Sequence, residues 1–470
     1  MSAALPPPCT EAPAARTRGP CPSKRGTLVA TIIGSSLAFV LGSIVNVALP
    51  QMRDAFGTDP TGAQWIVNAY LLPLGALVLL GGALGDRYGR RRVFEAGLIT
   101  FAAACLLCAV AWSFPVLLAA RALEGVAAAM VAPTSLAIIA DAFTGPARGR
   151  AVGTWAGVGA AAGALAPVLG GVIVDTVGWR WAFVAVVPPA LLAVRIAHRS
   201  IRESVADPVN RAPLDWRGAG LISAALLATI WGLIALPDRG ATGPVLAALA
   251  AGGALAMAYL AVERRLGDRA MTPLRLFADA TFSGLTAFTL LLYASLGGLM
   301  LLLPYVLIEG LGYSATAAGA AILPFPAILA VSSRFTGGAL ADRFGARTLL
   351  TAGAALVACG FALFSRVPTE GVSYAVHVLP PLVVLALGMA LSVAPLTSAV
   401  LSSAGERYAG VASGINNAIS RIGGLVATAL LGLVLLGGDL IAGFGNAAWA
   451  GVALALGAAG IAWIMVEAKT

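Results

Sequence analysis

Arg121 and Glu124 stand three residues apart inside FPVLLAARALEGVAAAMVAP (114–133), a stretch otherwise apolar enough to lie within a bilayer. On a helix they occupy neighbouring turns of one side. Burial favours the neutral form of a carboxyl group, while a nearby guanidinium favours its anion. That opposition suits a side chain that must take up and return a proton in each cycle. The competing structural reading is a static Arg121–Glu124 pair that only ties helices together. Arg421 is a second charge in an apolar run, twelve residues in, with Asn416 and Asn417 one turn earlier in SGINNAISRIGG (413–424). Charges and polar groups at membrane depth must face a cavity or another helix rather than lipid. Asn46, Trp65, Asn68 and Tyr70 are further cavity candidates, although Trp65 fits an interfacial belt equally well. These residues predict a mostly apolar central cavity with Arg121, Glu124 and Arg421 as its charged elements.

Other chemistries lack their residues. Lys24 and Lys469 are the only lysines, and neither completes a phosphate-cradling G-x-x-x-x-G-K-[ST] loop. His198 and His377 lie far apart, outside any metal or hydrolase motif. The five cysteines (Cys9, Cys21, Cys105, Cys108, Cys359) form no disulfide framework, and Cys105 and Cys108 sit in an apolar run where packing is the simpler role. No enzyme, metal site or cofactor is expected.

These side chains must be positioned by membrane helices. Of 470 residues, 59% are hydrophobic and 11% charged, against about 25% charge in soluble domains. A bilayer core needs ~20 apolar residues per helix, and fourteen runs meet that length. The expected organisation is a disordered cytoplasmic tail (1–26), a six-helix bundle (27–198), a loop (199–216), two extra linking helices (217–262), a loop (263–280), a second six-helix bundle (281–466) and a cytoplasmic C-terminus (467–470). With the N-terminus inside, the tail and the loops on its side carry 24 of the 30 Lys+Arg and the opposite loops four, which predicts a multi-pass protein of the cell (inner) membrane with both termini cytoplasmic. The basic residues are scattered over short loops, so a nucleic-acid partner is not expected.

GGALGDRYGRRRVFEAG (81–97) recurs as GGALADRFGARTLLTAG (337–353), 256 residues later. Asp86 and Gly89 thus repeat as Asp342 and Gly345, and Arg87 as Arg343. Fixed places for an acid and a glycine exceed what topology alone requires, and they predict a conformational gate built from Gly82, Asp86, Arg87, Gly89, Arg90, Arg91, Asp342, Arg343 and Gly345. Parallel halves place a substrate site at their interface and work by rocking one half against the other.

Several motifs in order resemble the fourteen-helix drug:proton antiporter branch of the major facilitator superfamily. Gly82 to Arg91 match its loop signature G-x-L-x-D-R-x-G-R-R, SIVNVALP (43–50) the end of its first-helix motif, and Arg121 and Gly125 its fourth-helix motif. Gly153, Pro167, Gly170 and Gly171 match its antiporter motif, with Ala162 and Ala166 where glycine is usual; WRWAF (179–183) and SGINNAISRIGG also look like this branch. The resemblance implies an all-α polytopic protein of two six-helix bundles plus two extra central helices, and export of a small drug- or antibiotic-like compound against protons by alternating access. The branch usually carries glutamine at position 124 and an acid in the first helix where this chain has Leu41, so Glu124, with Arg121, is expected to take over proton coupling, unless the carrier is weakly coupled or uncoupled. The alternatives are an uptake or facilitative carrier of the same fold, and a non-transporting sensor or scaffold. A small-molecule substrate, protons and the lipid bilayer are the expected partners of a functional monomer. Glu124 suits a cationic substrate and the two arginines an anionic one, and the sequence does not choose.

Overall fold

The computed structural model describes residues 23–205, 214–267, 270–335, 340–368, 371–434 and 440–467. Its long elements are all helical: α1 (Lys24–Ala55), α2 (Pro60–Tyr88), α3 (Arg90–Ala109), α4 (Phe114–Ala142), α5 (Gly145–Thr176), α6 (Trp179–Ser200), α7 (Trp216–Arg239), α8 (Gly243–Leu266), α9 (Ala280–Tyr305), α10 (Ala315–Ile322), α11 (Pro324–Phe335), α12 (Ala341–Phe364), α13 (Leu379–Val434) and α14 (Leu440–Met465). Three of these labels do not coincide with membrane spans. α10 and α11 are one span interrupted at Leu323, where Pro324 and Pro326 each remove a helical N–H donor. α13 is two spans: its 56 residues would run about 84 Å as one helix, and Gly405 (φ 69°, ψ 166°) divides it. The fourteen spans stand.

Several helices run past the apolar stretches that predict them. α1 begins at Lys24, inside the expected tail, because the Ser23 hydroxyl accepts from the Gly26 N–H at 3.2 Å and caps the helix. Residues 1–22, with Cys9 and Cys21, lie outside the described residues. α8 continues through Glu263 to Leu266, which corrects the expected loop start at 263.

Between apolar helices in lipid, close packing and polar contacts replace the hydrophobic drive of a soluble core. The first half packs α1 on α5 and α6, α2 on α4, and α3 on α4 and α6, while the second packs α9 on α13 and α14, and α12 on α13 and α14. The halves meet where α2 lies on α13, α5 on α10 and α11, and α1 on α9; α7 and α8 pair with each other, and α7 leans on both α2 and α13. The face carrying the start of α1, the α2–α3 turn and the end of α6 holds most of the arginines, and is called here the basic face. The repeat is visible in the backbone: Gly89 (φ 111°) and Gly345 (φ 75°) make the same left-handed turn at the helix breaks of the two halves.

Candidate functional site

A cavity of about 240 Å³ lies between the halves. α1 lines it with Phe39, Ser43 and Asn46, α2 with Val67 and Tyr70, α4 with Arg121, α9 with Tyr293, Leu296 and Met300, and α13 with Ser420, Arg421 and Thr428. Apolar groups dominate, and the polar ones are held in place. The Asn46 amide donates to the Met300 carbonyl at 3.2 Å, across the halves, and the Tyr70 hydroxyl donates to the Ala38 carbonyl at 3.2 Å. The Arg421 guanidinium lies over the Phe39 ring, 5.1 Å from its centre. Its Nε is buried without an acceptor, and no carboxylate among the described residues pairs with it.

Arg121 and Glu124 form an ion pair in which both side chains are almost wholly buried. Arg121 also donates through Nε to the Ile66 carbonyl at 3.2 Å and lies 4.6 Å from the Tyr70 ring centre. Gly125 permits this approach of α4 to α2, since a Cβ there would collide with the Tyr70 carbonyl. Contrary to expectation, Glu124 does not line the cavity. It turns away behind Arg121 towards the Cys105 and Cys108 thiols of α3, and its Oε1 has no partner within ordinary hydrogen-bond geometry.

Four other cavity candidates also lie behind the wall. Trp65 packs in a cluster with Ile230 and Ile234 of α7. Asn68 is buried and accepts from the Thr428 hydroxyl, joining α2 to α13. Asn416 accepts from the Thr289 hydroxyl at 2.7 Å, tying α13 to α9, and Asn417 does not reach the lining. For Asn68 and Asn416 a neighbouring helix engages the side-chain oxygen before the cavity does.

Polar contacts seal the face opposite the basic one. Arg53 at the end of α1 donates to the Tyr305 hydroxyl and to Glu309 Oε2, the latter at 3.1 Å. Asp175 at the end of α5 accepts from the backbone N–H groups of Ala315 (3.1 Å) and Thr316 (2.8 Å) and from the Thr316 hydroxyl (2.6 Å), capping α10 from the other half. Beneath that cap the helices touch through glycine: a Cβ on Gly171 would collide with the Ala315 carbonyl, and one on Gly319 with the Pro167 carbonyl. Gly170 sits against Ile44 of α1. The antiporter-motif residues therefore divide: Pro167 and Gly171 build the seal, Gly170 packs on α1 within its own half, and Gly153, on the basic half of α5, is exposed with no atom near its Cβ position.

The loop signature on the basic face engages its own half. Arg90 bridges Asp86 (2.8 Å) and Asp141 at the end of α4 (2.5 Å). Glu203 accepts from the N–H groups of Arg91 and Arg92 and so caps α3 at the Gly89 turn. Arg87 is exposed. Gly82 rests on Pro133 of α4. In the second copy, Ala346 stands where Arg90 does, so that bridge has no counterpart; Arg343 lies over the Phe344 ring, and the Asp342 side chain is outside the described residues.

The seal residues Arg53, Asp175, Tyr305 and Glu309 escape the sequence reading. One signal for them existed: Arg53 and Glu309 are 256 residues apart, the offset of the repeat, so they are equivalent positions of the two halves meeting at the axis that relates them. Also missed is a buried carboxyl pair at the foot of the extra helices. Asp215 Oδ1 accepts from the Gly218 N–H (2.8 Å) and Glu263 Oε2 from the Thr272 N–H (2.7 Å), while Asp215 Oδ2 and Glu263 Oε1 both crowd the Cβ position of Gly218. Hydropathy placed Glu263 in a loop.

The chain matches the family model described as Major Facilitator Superfamily over residues 31–428. It is 31% identical to a puromycin resistance protein of Streptomyces alboniger over 97% of this chain and 94% of that one. It is 34% identical to a cephamycin export protein of Amycolatopsis lactamdurans over 83% of this chain and 80% of that one. Among solved structures, a POT family transporter in complex with a thioalcohol-conjugated peptide superposes with a TM-score of 0.69 at 14% identity, covering 93% of this chain and 97% of that one, a likeness of fold alone.

Proposed function

This chain belongs to the major facilitator superfamily, and from that premise we propose that it exports a small organic, drug- or antibiotic-like compound from the cytoplasm by alternating access, driven by proton antiport. The reading makes the basic face cytoplasmic, in keeping with the charge asymmetry of the loops. The observation that carries it is the seal: a cavity between two halves closed on one face by contacts that each comprise one partner from either half, so that rocking the halves would break them together. Two antiporter-motif residues of α5, Pro167 and Gly171, take part in that seal. The names of the relatives, resistance and export proteins, support the outward direction.

In this reading Glu124 carries the proton and Arg121 transmits its state. Two opposite charges ~4 Å apart attract by about 4 kcal/mol at an effective dielectric of about 20. A proton on Glu124 would release that hold and leave the Arg121 charge to the cavity. The test is Glu124→Gln in reconstituted vesicles carrying an internal pH dye. Substrate exchange should persist while substrate-driven proton movement disappears; unchanged proton movement refutes the assignment, and absence of any flux in the unaltered protein refutes the transporter reading.

A further inference from the structure

We propose that the cavity selects organic anions, a carboxylate or sulfonate on a compact apolar body, and that Arg421 receives the anionic group. The proposal rests on the export reading above and names its substrate class.

Three charges surround the cavity, and their placement decides the question. Arg121 is compensated by Glu124, but only Arg121 reaches the lining. Glu124 is fully buried behind it, facing α3, and is out of reach of a bound molecule. Arg421 lines the cavity with no carboxylate partner among the described residues. A ligand therefore meets two guanidinium groups and no acid, and the three charges sum to one positive.

An uncompensated cation held in a mostly apolar wall is costly unless something supplies the opposite charge. Phe39 offers its ring face to the guanidinium, which orients it without neutralising it. Arginine presents a planar fork of donors suited to two oxygens of one anionic group. The neighbouring Ser420 hydroxyl already donates its single hydrogen to the Asn417 carbonyl at 2.8 Å, whereas the Asn46 amide, with one hydrogen on the Met300 carbonyl, keeps a second that can donate. Leu296 and Tyr293 remain for the apolar body. A cationic ligand would find aromatic faces, but beside them two like charges.

The experiment measures the flux of three probes in vesicles containing the purified protein under an imposed proton gradient. 1-Anilinonaphthalene-8-sulfonate and N-phenyl-1-naphthylamine share one apolar body with and without an anionic group, and ethidium is the cation. The unaltered protein should move the sulfonate fastest and ethidium least. Arg421→Gln should lower the sulfonate-to-amine flux ratio on the order of 10- to 100-fold, the loss expected for a charge-assisted contact, with measurable flux of the neutral amine as the internal control for folding. Arg421→Lys should keep the order of preference. Movement of ethidium or the amine ahead of the sulfonate overturns the anion inference and leaves the export reading standing; a glutamine variant with an unchanged sulfonate-to-amine ratio does the same. If none of the three moves, both fall. Should the variants fail to fold, the ranking in the unaltered protein decides alone.

Discussion

If Asp175 latches the sealed face, Asp175→Asn should open it. The carboxylate holds three donors of α10, two backbone N–H groups and the Thr316 hydroxyl, at 2.6–3.1 Å, and it faces the positive end of that helix. A hydrogen bond to a charged group contributes about 1.5–3 kcal/mol against about 0.5–1.5 for a neutral one, and the helix end adds about 0.3–1. Asparagine keeps the shape and one acceptor oxygen but loses the charge. Because Asp175 is exposed, water screens part of the difference, and a net loss of about 1–2 kcal/mol is the reasonable figure. That shifts the ratio of sealed to open molecules about 5- to 30-fold. Spin labels at Val177→Cys and Ala317→Cys, in a chain whose five native cysteines are replaced, would straddle the latch. The asparagine variant should gain a longer-distance population in pulsed electron–electron resonance at the expense of the short one. An unchanged distance distribution would show that the latch carries no share of the closure, and the reasoning from its geometry would fail.

Two further outcomes follow from the same geometry. Gly319→Val should weaken the same seal by steric force rather than by charge, because its branched side chain meets the Pro167 carbonyl; transport should fall at least tenfold while the purified variant stays monodisperse, and normal flux would contradict the close approach of α5 and α10. If one proton enters for each organic anion that leaves, two charges cross per turnover, worth about 4.6 kcal/mol at 100 mV. An inside-negative potential set by potassium and valinomycin should then accelerate sulfonate export, and insensitivity to potential would exclude that exchange.

The spans were legible because bilayer thickness forces each helix to declare itself as about twenty apolar residues. Helix ends were less legible, since polar residues such as Lys24 and Glu263 continue a helix beyond its apolar core once a cap or a buried partner holds them. The break at Leu323 was readable because proline acts locally. The seal was not, because Arg53 and Glu309, or Asp175 and Thr316, are distant in sequence and look like ordinary loop charges until the halves are docked. Only the repeat offset linked the first pair, and it needed the idea that equivalent residues meet at the axis.

The pair that the sequence reading singled out shows a finer limit of helical spacing. Three residues turn a helix through about 300°, so side chains at i and i+3 diverge by about 60°. On a helix packed on several sides, that angle is enough to give Arg121 to α2 and the cavity and Glu124 to α3. Residues that share a face by spacing can thus still look into different neighbours, and in the proposed mechanism the difference separates two tasks. A substrate in the proposed cavity would meet the arginine and not the acid, so any effect of a proton on Glu124 would pass through the guanidinium between them. Exchange then needs no common pocket for proton and substrate, and a cavity whose own wall carries only positive charge is compatible with proton coupling.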